Sequence, residues 1–273
     1  MLSKISILGC GWLGFSLAKS LLKNGHIVYG STTTKEKLSD LQAVGIRPFL
    51  IDLPDNLEEE EVAAFFQADI LILNIPPGRK QKDVVQHHLQ QIEKVVELLR
   101  KGTVQKVVFV SSTGVYGDEN KEVTELTNPQ PTRGSTEALV LAEKFLQSQS
   151  HFQTTILRMG GLVGENRKAG GFMAGKKNVD NGDAPINMVH RDDCIGVIKE
   201  VLRQEKWGEI FNVCADAHPT RKEFYQAQAR QLGVEPPTFT NNEEISYKIV
   251  SNEKVKTILK YDFIHPDPMK FHT

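Results

Sequence analysis

The chain has 273 residues, with 33 lysines and arginines against 34 aspartates and glutamates, and a pI near 6.7. A charge this close to neutral gives no electrostatic footprint for nucleic acid or an anionic membrane. The longest apolar runs, such as Ile70–Leu73 and Val107–Val110, are too short to cross a bilayer. The cysteines Cys10, Cys194 and Cys214 lie far apart with no metal-ligand spacing, so no metal site is expected.

The first stretch, Lys4 to Thr34, reads strand, turn, helix, turn, strand. Ile5 and Ile7–Leu8 form an apolar strand end. Gly9, Gly11 and Gly14 then give G-x-G-x-x-G where the strand must become a helix. The first glycine permits the tight turn. The second lets backbone approach a pyrophosphate, and the third lets helix and strand pack closely. The amides around Trp12 and Leu13 would point at phosphates from a helix N-terminus. Dinucleotide binding is therefore expected here. Cys10 reads as a small filler. Met1 leads directly into the first strand, which leaves no room for a signal peptide, and a cytoplasmic location with reduced thiols is expected.

The second strand runs into Ser31, Thr32 and Thr33, where an NAD-binding unit usually ends in an acid that accepts from the ribose hydroxyls. No acid appears before Glu36, and Lys35 and Lys37 are near. Hydroxyls and lysines suit a 2′-phosphate, so NADP is the expected cofactor, with NAD the alternative. Glu36–Gly45 reads as a short helix and Arg47–Leu53 as the third strand. It ends in Asp52 and Leu53, where Asp52 either accepts from an adenine amino group or caps the next turn. After the helix Glu58–Gln67 comes a fourth strand, Asp69–Ile75. Asn74, Ile75 and Pro76 stand at its carboxyl end, where the cofactor is expected, and the basic pair Arg79 and Lys80 follows. Asp83–Lys101 reads as a long helix carrying His87 and His88. Lys106–Val110 is the fifth strand and enters Ser111–Ser112–Thr113–Gly114–Val115–Tyr116–Gly117.

FVSSTGVYGD after this strand, LRMGGLVG after a later strand and VHRDD before a helix resemble the extended short-chain dehydrogenase/reductase superfamily. GCGWLG, NMVHRDDCIGVI and FNVCADAHPTRKEFY are most similar to its atypical, YeeZ-like subgroup of NAD(P)-dependent epimerases, over nearly the whole chain. The resemblance implies an α/β doubly wound parallel sheet, the NAD(P)-binding Rossmann fold, with a small C-terminal substrate lobe. The expected limits are residues 1–160 for the Rossmann domain and 161–273 for the lobe, with 185–213 returning to the sheet. A nucleotide sugar or similar hydroxyl or carbonyl compound is the implied substrate. A homodimer through Asp83–Lys101 and Ser135–Gln149 is implied by analogy.

The departures concern catalysis. The superfamily uses a Ser, then a Tyr and a Lys spaced Y-x-x-x-K. The Lys lowers the phenol's pKa, the Tyr moves a proton and the Ser orients the substrate oxygen. Ser112 matches the Ser, but Ser135 and Leu139 fall at the Tyr and Lys positions. Tyr116 belongs to a motif whose ring usually packs beneath the loop. Its other reading is a substitute acid near the nicotinamide, which makes Ser112 and Tyr116 the catalytic candidates. Beyond the sixth strand, Thr154–Leu157, the stretch Arg158–Gly164 leaves for the substrate side. Its glycines, Gly161 among them, either let backbone approach a ligand or make a turn. Residues 166–183 look like a flexible lid or binding loop, with Arg167 and Lys168 the candidates for contacting an anionic substrate. Pro185–His190 reads as a strand crossing back to the main sheet, followed by Asp192 or Asp193 as helix cap. Thr220 and Glu223 form a capping box. Two functions remain open: an NAD(P)-dependent oxidoreductase or epimerase with an atypical active site, and a catalytically silent cofactor-binding sensor or scaffold.

Overall fold

The computed structural model describes residues 2–53, 59–78, 83–241 and 244–271. Arg79, Lys80 and Glu58 lie outside these residues. The order of elements is β1 (Lys4–Leu8), α1 (Trp12–Lys23), β2 (Ile27–Thr32), α2 (Leu38–Ala43), β3 (Arg47–Leu50), α3 (Glu59–Phe66), β4 (Ile70–Leu73), α4 (Val84–Lys101) and β5 (Lys106–Ser112). There follow β6 (Lys121–Val123), α5 (Gly134–Gln147), β7 (Gln153–Met159), β8 (Gly161–Val163), β9 (Met188–His190), α6 (Arg191–Gln204) and β10 (Ile210–Val213). The chain closes with α7 (Arg221–Leu232), β11 (Lys248–Val250) and α8 (Glu253–Ile258).

A seven-stranded parallel sheet in the order β10-β7-β5-β4-β1-β2-β3 is flanked by helices. Ile5 lies beside Val28 on one flank and Ile70 on the other. The chain thus builds outward from β1 to β3 and then returns to the opposite side of β1. That reversal opens a crevice at the carboxyl ends of β1 and β4, the place where sheets of this type bind ligands. β4 is buried along its whole length, as a central parallel strand covered on both faces must be. In α1 the buried positions Leu13, Gly14, Leu17, Ala18 and Leu21 recur at helical spacing. Each buried leucine contributes about 1.5–3 kcal/mol over its exposed form. α4 packs against α5, and Ile92, Val95, Val96 and Leu99 are among its buried residues.

The chain divides into two compact units. One comprises Met1–Ser111, Pro131–Leu157 and Val201–Ile210, and the other Ser112–Gln130, Arg158–Glu200 and Phe211–Thr273. The second has its own apolar core, with Val163, Ala169, Ile186, Met188, Ala215, Phe224 and Phe271 buried together. It also contains two small parallel pairings, β6 with β11 and β8 with β9.

Several expectations are corrected. The strand expected over Pro185–His190 spans only Met188–His190, and it pairs with β8 instead of entering the main sheet. The glycines before it explain the pairing. A Cβ at Gly161 would lie 2.5 Å from Met188 Sδ, and one at Gly160 2.9 Å from Asn187 O. The third strand stops at Leu50, short of Asp52 and Leu53. Part of the segment expected as a flexible lid or binding loop is tied down at Lys176–Val179: Val179 N donates to Thr238 O, Thr240 N to Val179 O and Thr238 N to Lys176 O. α6 starts at Arg191, so Asp192 and Asp193 lie inside its first turn; His190 Nδ1 accepts from Asp192 N at 3.3 Å, and the Asp193 carboxylate accepts from the C-terminal segment described below. The Thr220–Glu223 capping box forms as expected.

Candidate functional site

β1 delivers the chain to Gly9, whose φ of +102° is a left-handed conformation that favours glycine. Its amide donates to Ser31 Oγ at 2.9 Å, and its carbonyl accepts from Asn74 Nδ2 at 3.0 Å. The turn is thereby tied to the ends of β2 and β4. A Cβ at Gly14 would lie 2.2 Å from Gly9 O, so the third glycine is required by the approach of α1 to the turn. Gly11 differs. A Cβ there would meet nothing within 4 Å, and Gly11 is the N-cap of α1 with no side-chain cap and no acid in the first turn. A helix N-terminus that meets open space and is not countered by a carboxylate suits an anion.

This turn borders a pocket of about 190 Å³. Of the sequence-expected cofactor residues it brings together Gly9, Gly11, Ser31, Thr32, Thr33, Asp52, Leu53 and Ile75. Trp12, Leu13, Gly14, Asn74 and Pro76 do not line it. Gly14 and Asn74 shape the turn instead, Leu13 is buried in the face of α1, Trp12 is half-buried and Pro76 is exposed. Lys37 reaches the same wall beside Thr34. Gln91 also lines the pocket, and its Nε2 donates to Leu53 O at 3.1 Å. Gln91 was not expected from sequence; its place midway along α4 gave no local signal. Cys10 lines the pocket too, but burial pushes its thiol up to about 12, which leaves it protonated and unreactive.

The second unit holds the remaining candidates. Ser112 Oγ accepts from Gly114 N at 3.1 Å, which leaves its own proton free to be donated. Tyr116 is buried, with only 2% of its surface exposed. Its hydroxyl donates to Asn212 Oδ1 at 2.8 Å and accepts from Arg158 Nη1 at 2.7 Å. Burial raises the phenol's pKa against the lowering effect of Arg158. Arg158 is itself 3% exposed, and its guanidinium lies over the Tyr116 ring. Asn212 extends the chain: its backbone amide donates to Glu125 Oε1 at 2.7 Å and its side-chain amide to Ser251 O at 3.2 Å. Gly161 sits in β8, and Arg167 donates to Leu162 O at 3.0 Å beside the Phe172 ring. Leu139, at the expected Lys position, is buried on α5, and nearby Glu143 accepts from Ser111 Oγ at 2.6 Å.

A further cluster was only half legible in the sequence. His190 Nδ1 and His265 Nε2 lie 3.4 Å and 3.3 Å from the same oxygen, Asp192 Oδ2. The two imidazoles lie 3.9 Å apart between centroids and tilted by 46°, with Phe271 against both. Burial, then the neighbouring His265, lowers the His190 pKa. Asp193 accepts from Tyr261 Oη at 2.9 Å, Ile264 N at 2.7 Å and His265 N at 3.1 Å. The acids beside His190 are visible in VHRDD, whereas His265 is distant in sequence and joins them only through the fold.

The chain matches the family model described as NAD(P)H-binding over residues 9–205. It belongs to that family. It is 35% identical to protein YeeZ of Escherichia coli strain K12 over 271 residues, 98% of each chain. UDP-glucuronic acid 4-epimerase from Bacillus cereus, in complex with UDP-glucuronic acid and NAD, superposes with a TM-score of 0.77 at 17% identity, covering 95% of this chain and 93% of that one. A short-chain dehydrogenase/reductase superfamily protein from Agrobacterium tumefaciens with bound NAD gives a TM-score of 0.78 at 16% identity, covering 95% and 92%. This family member is thus a YeeZ homologue with the epimerase/dehydratase-like fold. Among its described residues no helix is long and apolar enough to cross a membrane.

Proposed function

We propose that the protein binds NADP, with NAD the weaker ligand, and acts as an oxidoreductase or epimerase on a hydroxyl or carbonyl compound of the nucleotide-sugar class. The observation that carries the reading is the pocket at Gly11: open space at an uncountered helix N-terminus, walled by Ser31–Thr34 and Lys37. Gly9, Gly11 and the first turn of α1 would hold the pyrophosphate. Thr32, Thr33 and Lys37 would take a 2′-phosphate, and Asp52, Leu53 and Ile75 would flank the adenine end. The bound nicotinamide supplies the hydride chemistry, and the protein's task is to bind and orient.

Ser112, with its proton available, is the residue proposed to hold the substrate oxygen. Tyr116 is proposed as a structural tie, because a buried hydroxyl that already donates and accepts has no proton to exchange with a ligand. Arg158 is then its clamp, and Arg167 is the remaining candidate for an anionic substrate. A second reading has an observation of its own. Leu139 is buried where the superfamily keeps its lysine, so that position supplies no cation to acidify a general acid. A sensor that binds NADP without turnover fits that feature.

Calorimetric titration with NADPH, NADP, NADH and NAD tests the reading. NADPH is expected at micromolar Kd and NADH roughly tenfold or more weaker. Lys37→Glu is expected to erase most of that preference by placing a like charge beside the 2′-phosphate. Absence of binding by all four nucleotides overturns the proposal. Binding without turnover of any nucleotide sugar, unaltered by Ser112→Ala, favours the sensor.

A further inference from the structure

The geometry points to a site for one divalent transition-metal ion of the zinc class, formed by His190 Nδ1, Asp192 Oδ2 and His265 Nε2. One ligand atom from each of these three residues lies within 4.8 Å of the other two. The separations of 3.4 Å and 3.3 Å from the shared carboxylate oxygen are the decisive feature. Ligands about 2.0–2.1 Å from a tetrahedral ion stand about 3.3–3.4 Å apart, so two edges of a coordination tetrahedron are already in place. Two imidazoles and one carboxylate favour zinc, cobalt or nickel over magnesium or calcium, which prefer oxygen ligands. A fourth position is left for water.

The surroundings orient the ligands. Asp193 holds the backbone of Ile264 and His265, and through Tyr261 the segment that leads to them. Phe271 packs against both imidazoles and limits their rotation. Such outer partners fix ligand rings in established metal sites. The side chains of Asp192 and His265 are 46% and 29% exposed, so an ion can enter from solvent, whereas His190 is buried at the base. His190 Nδ1 now accepts from Asp192 N at 3.3 Å, a long hydrogen bond that an ion would displace. The ion would tie β9 and the start of α6 to the C-terminal segment Tyr261–Phe271. Its role is a structural clamp, separate from the cofactor pocket in residues and in chemistry.

The test uses the full-length protein, freed of metal by EDTA dialysis, with Zn²⁺ in calorimetry and Co²⁺ as optical probe. One equivalent of Zn²⁺ is expected at a Kd of about 10 μM or tighter, with Co²⁺ giving the visible bands of a tetrahedral complex. Zn²⁺ at a hundredfold excess over Kd should raise Tm by about 5 °C or more. His265→Ala should weaken Zn²⁺ by about a hundredfold and abolish the Tm shift. Asp192→Asn should weaken it to a smaller degree, and His151→Ala, on an exposed loop, should bind as wild type. No saturable binding below about 100 μM, or binding and a Tm shift that survive both His265→Ala and Asp192→Asn, overturns the site.

Discussion

Around Gly9 the amide and carbonyl are each taken by a side chain, Ser31 and Asn74, yet the surface beyond Gly11 is open. Around Tyr116 the arrangement is the reverse. The hydroxyl joins the Arg158 guanidinium to the Asn212 side-chain carbonyl, and all three residues are buried. The first centre spends its hydrogen bonds on holding a turn in shape and leaves a face for a ligand. The second spends them on closing a core. Both carry residues that a motif search would mark as functional, and what separates them is whether a polar atom remains for a partner outside the protein.

The sharpest way to break the contrast lies inside the glycine motif. Gly14→Ala forces a Cβ into contact with Gly9 O, and a cost of about 3 kcal/mol or more is expected, read as a lower urea midpoint. Gly11→Ala meets nothing, so stability should stay within about 0.5 kcal/mol of wild type while NADPH affinity falls, because the added methyl enters the ligand's space. Equal destabilisation by the two would mean that Gly11 is also structural. At the closed centre, Tyr116→Phe strands Asn212 Oδ1 and one donor of Arg158. A loss of about 1–3 kcal/mol in stability is expected with the cofactor Kd unchanged. A change in Kd without a change in stability would move Tyr116 from the core to the site.

The smallest effect expected is on pH dependence. His88, His190 and His218 all have lowered pKa values, chiefly from burial. Each is neutral when folded at a pH where the unfolded chain, titrating near 6.5, already binds a proton. The unfolded state then carries the extra protons, so stability falls as pH drops below about 6.5 and levels off once the folded state takes them up. His88→Gln removes one such proton, so the slope of unfolding free energy between pH 5 and 6.5 should flatten by no more than about 1.4 kcal/mol per pH unit. An unchanged slope would show that His88 titrates normally in the fold.

What could be read in advance follows from distance along the chain. The glycine turn, the apolar strands and the amphipathic helices are local patterns, and they lie where spacing put them. Ser31–Thr33, Asp52, Leu53 and Ile75 meet in one pocket because a doubly wound sheet gathers its strand ends. Three-residue strands such as β6, β8 and β11 are too short to show a period. Asp193 looks like a cap in VHRDD, and only the fold reveals that residues 261–265 claim it. Gln91, Asn212 and His265 were invisible for the same reason, since each acts on a partner at least 38 positions away.

The pairing of β6 with β11 carries a consequence for how the chain is made. Lys121 lies beside Lys248, and Asn120 exchanges hydrogen bonds with Tyr247 at a separation of 127 positions. During synthesis β6 leaves the ribosome long before its neighbour exists, and the first unit can gather most of its sheet in the interval. The second unit must wait until residues 247–250 have been made. Refolding should therefore be biphasic, with the slow phase belonging to closure of these long loops.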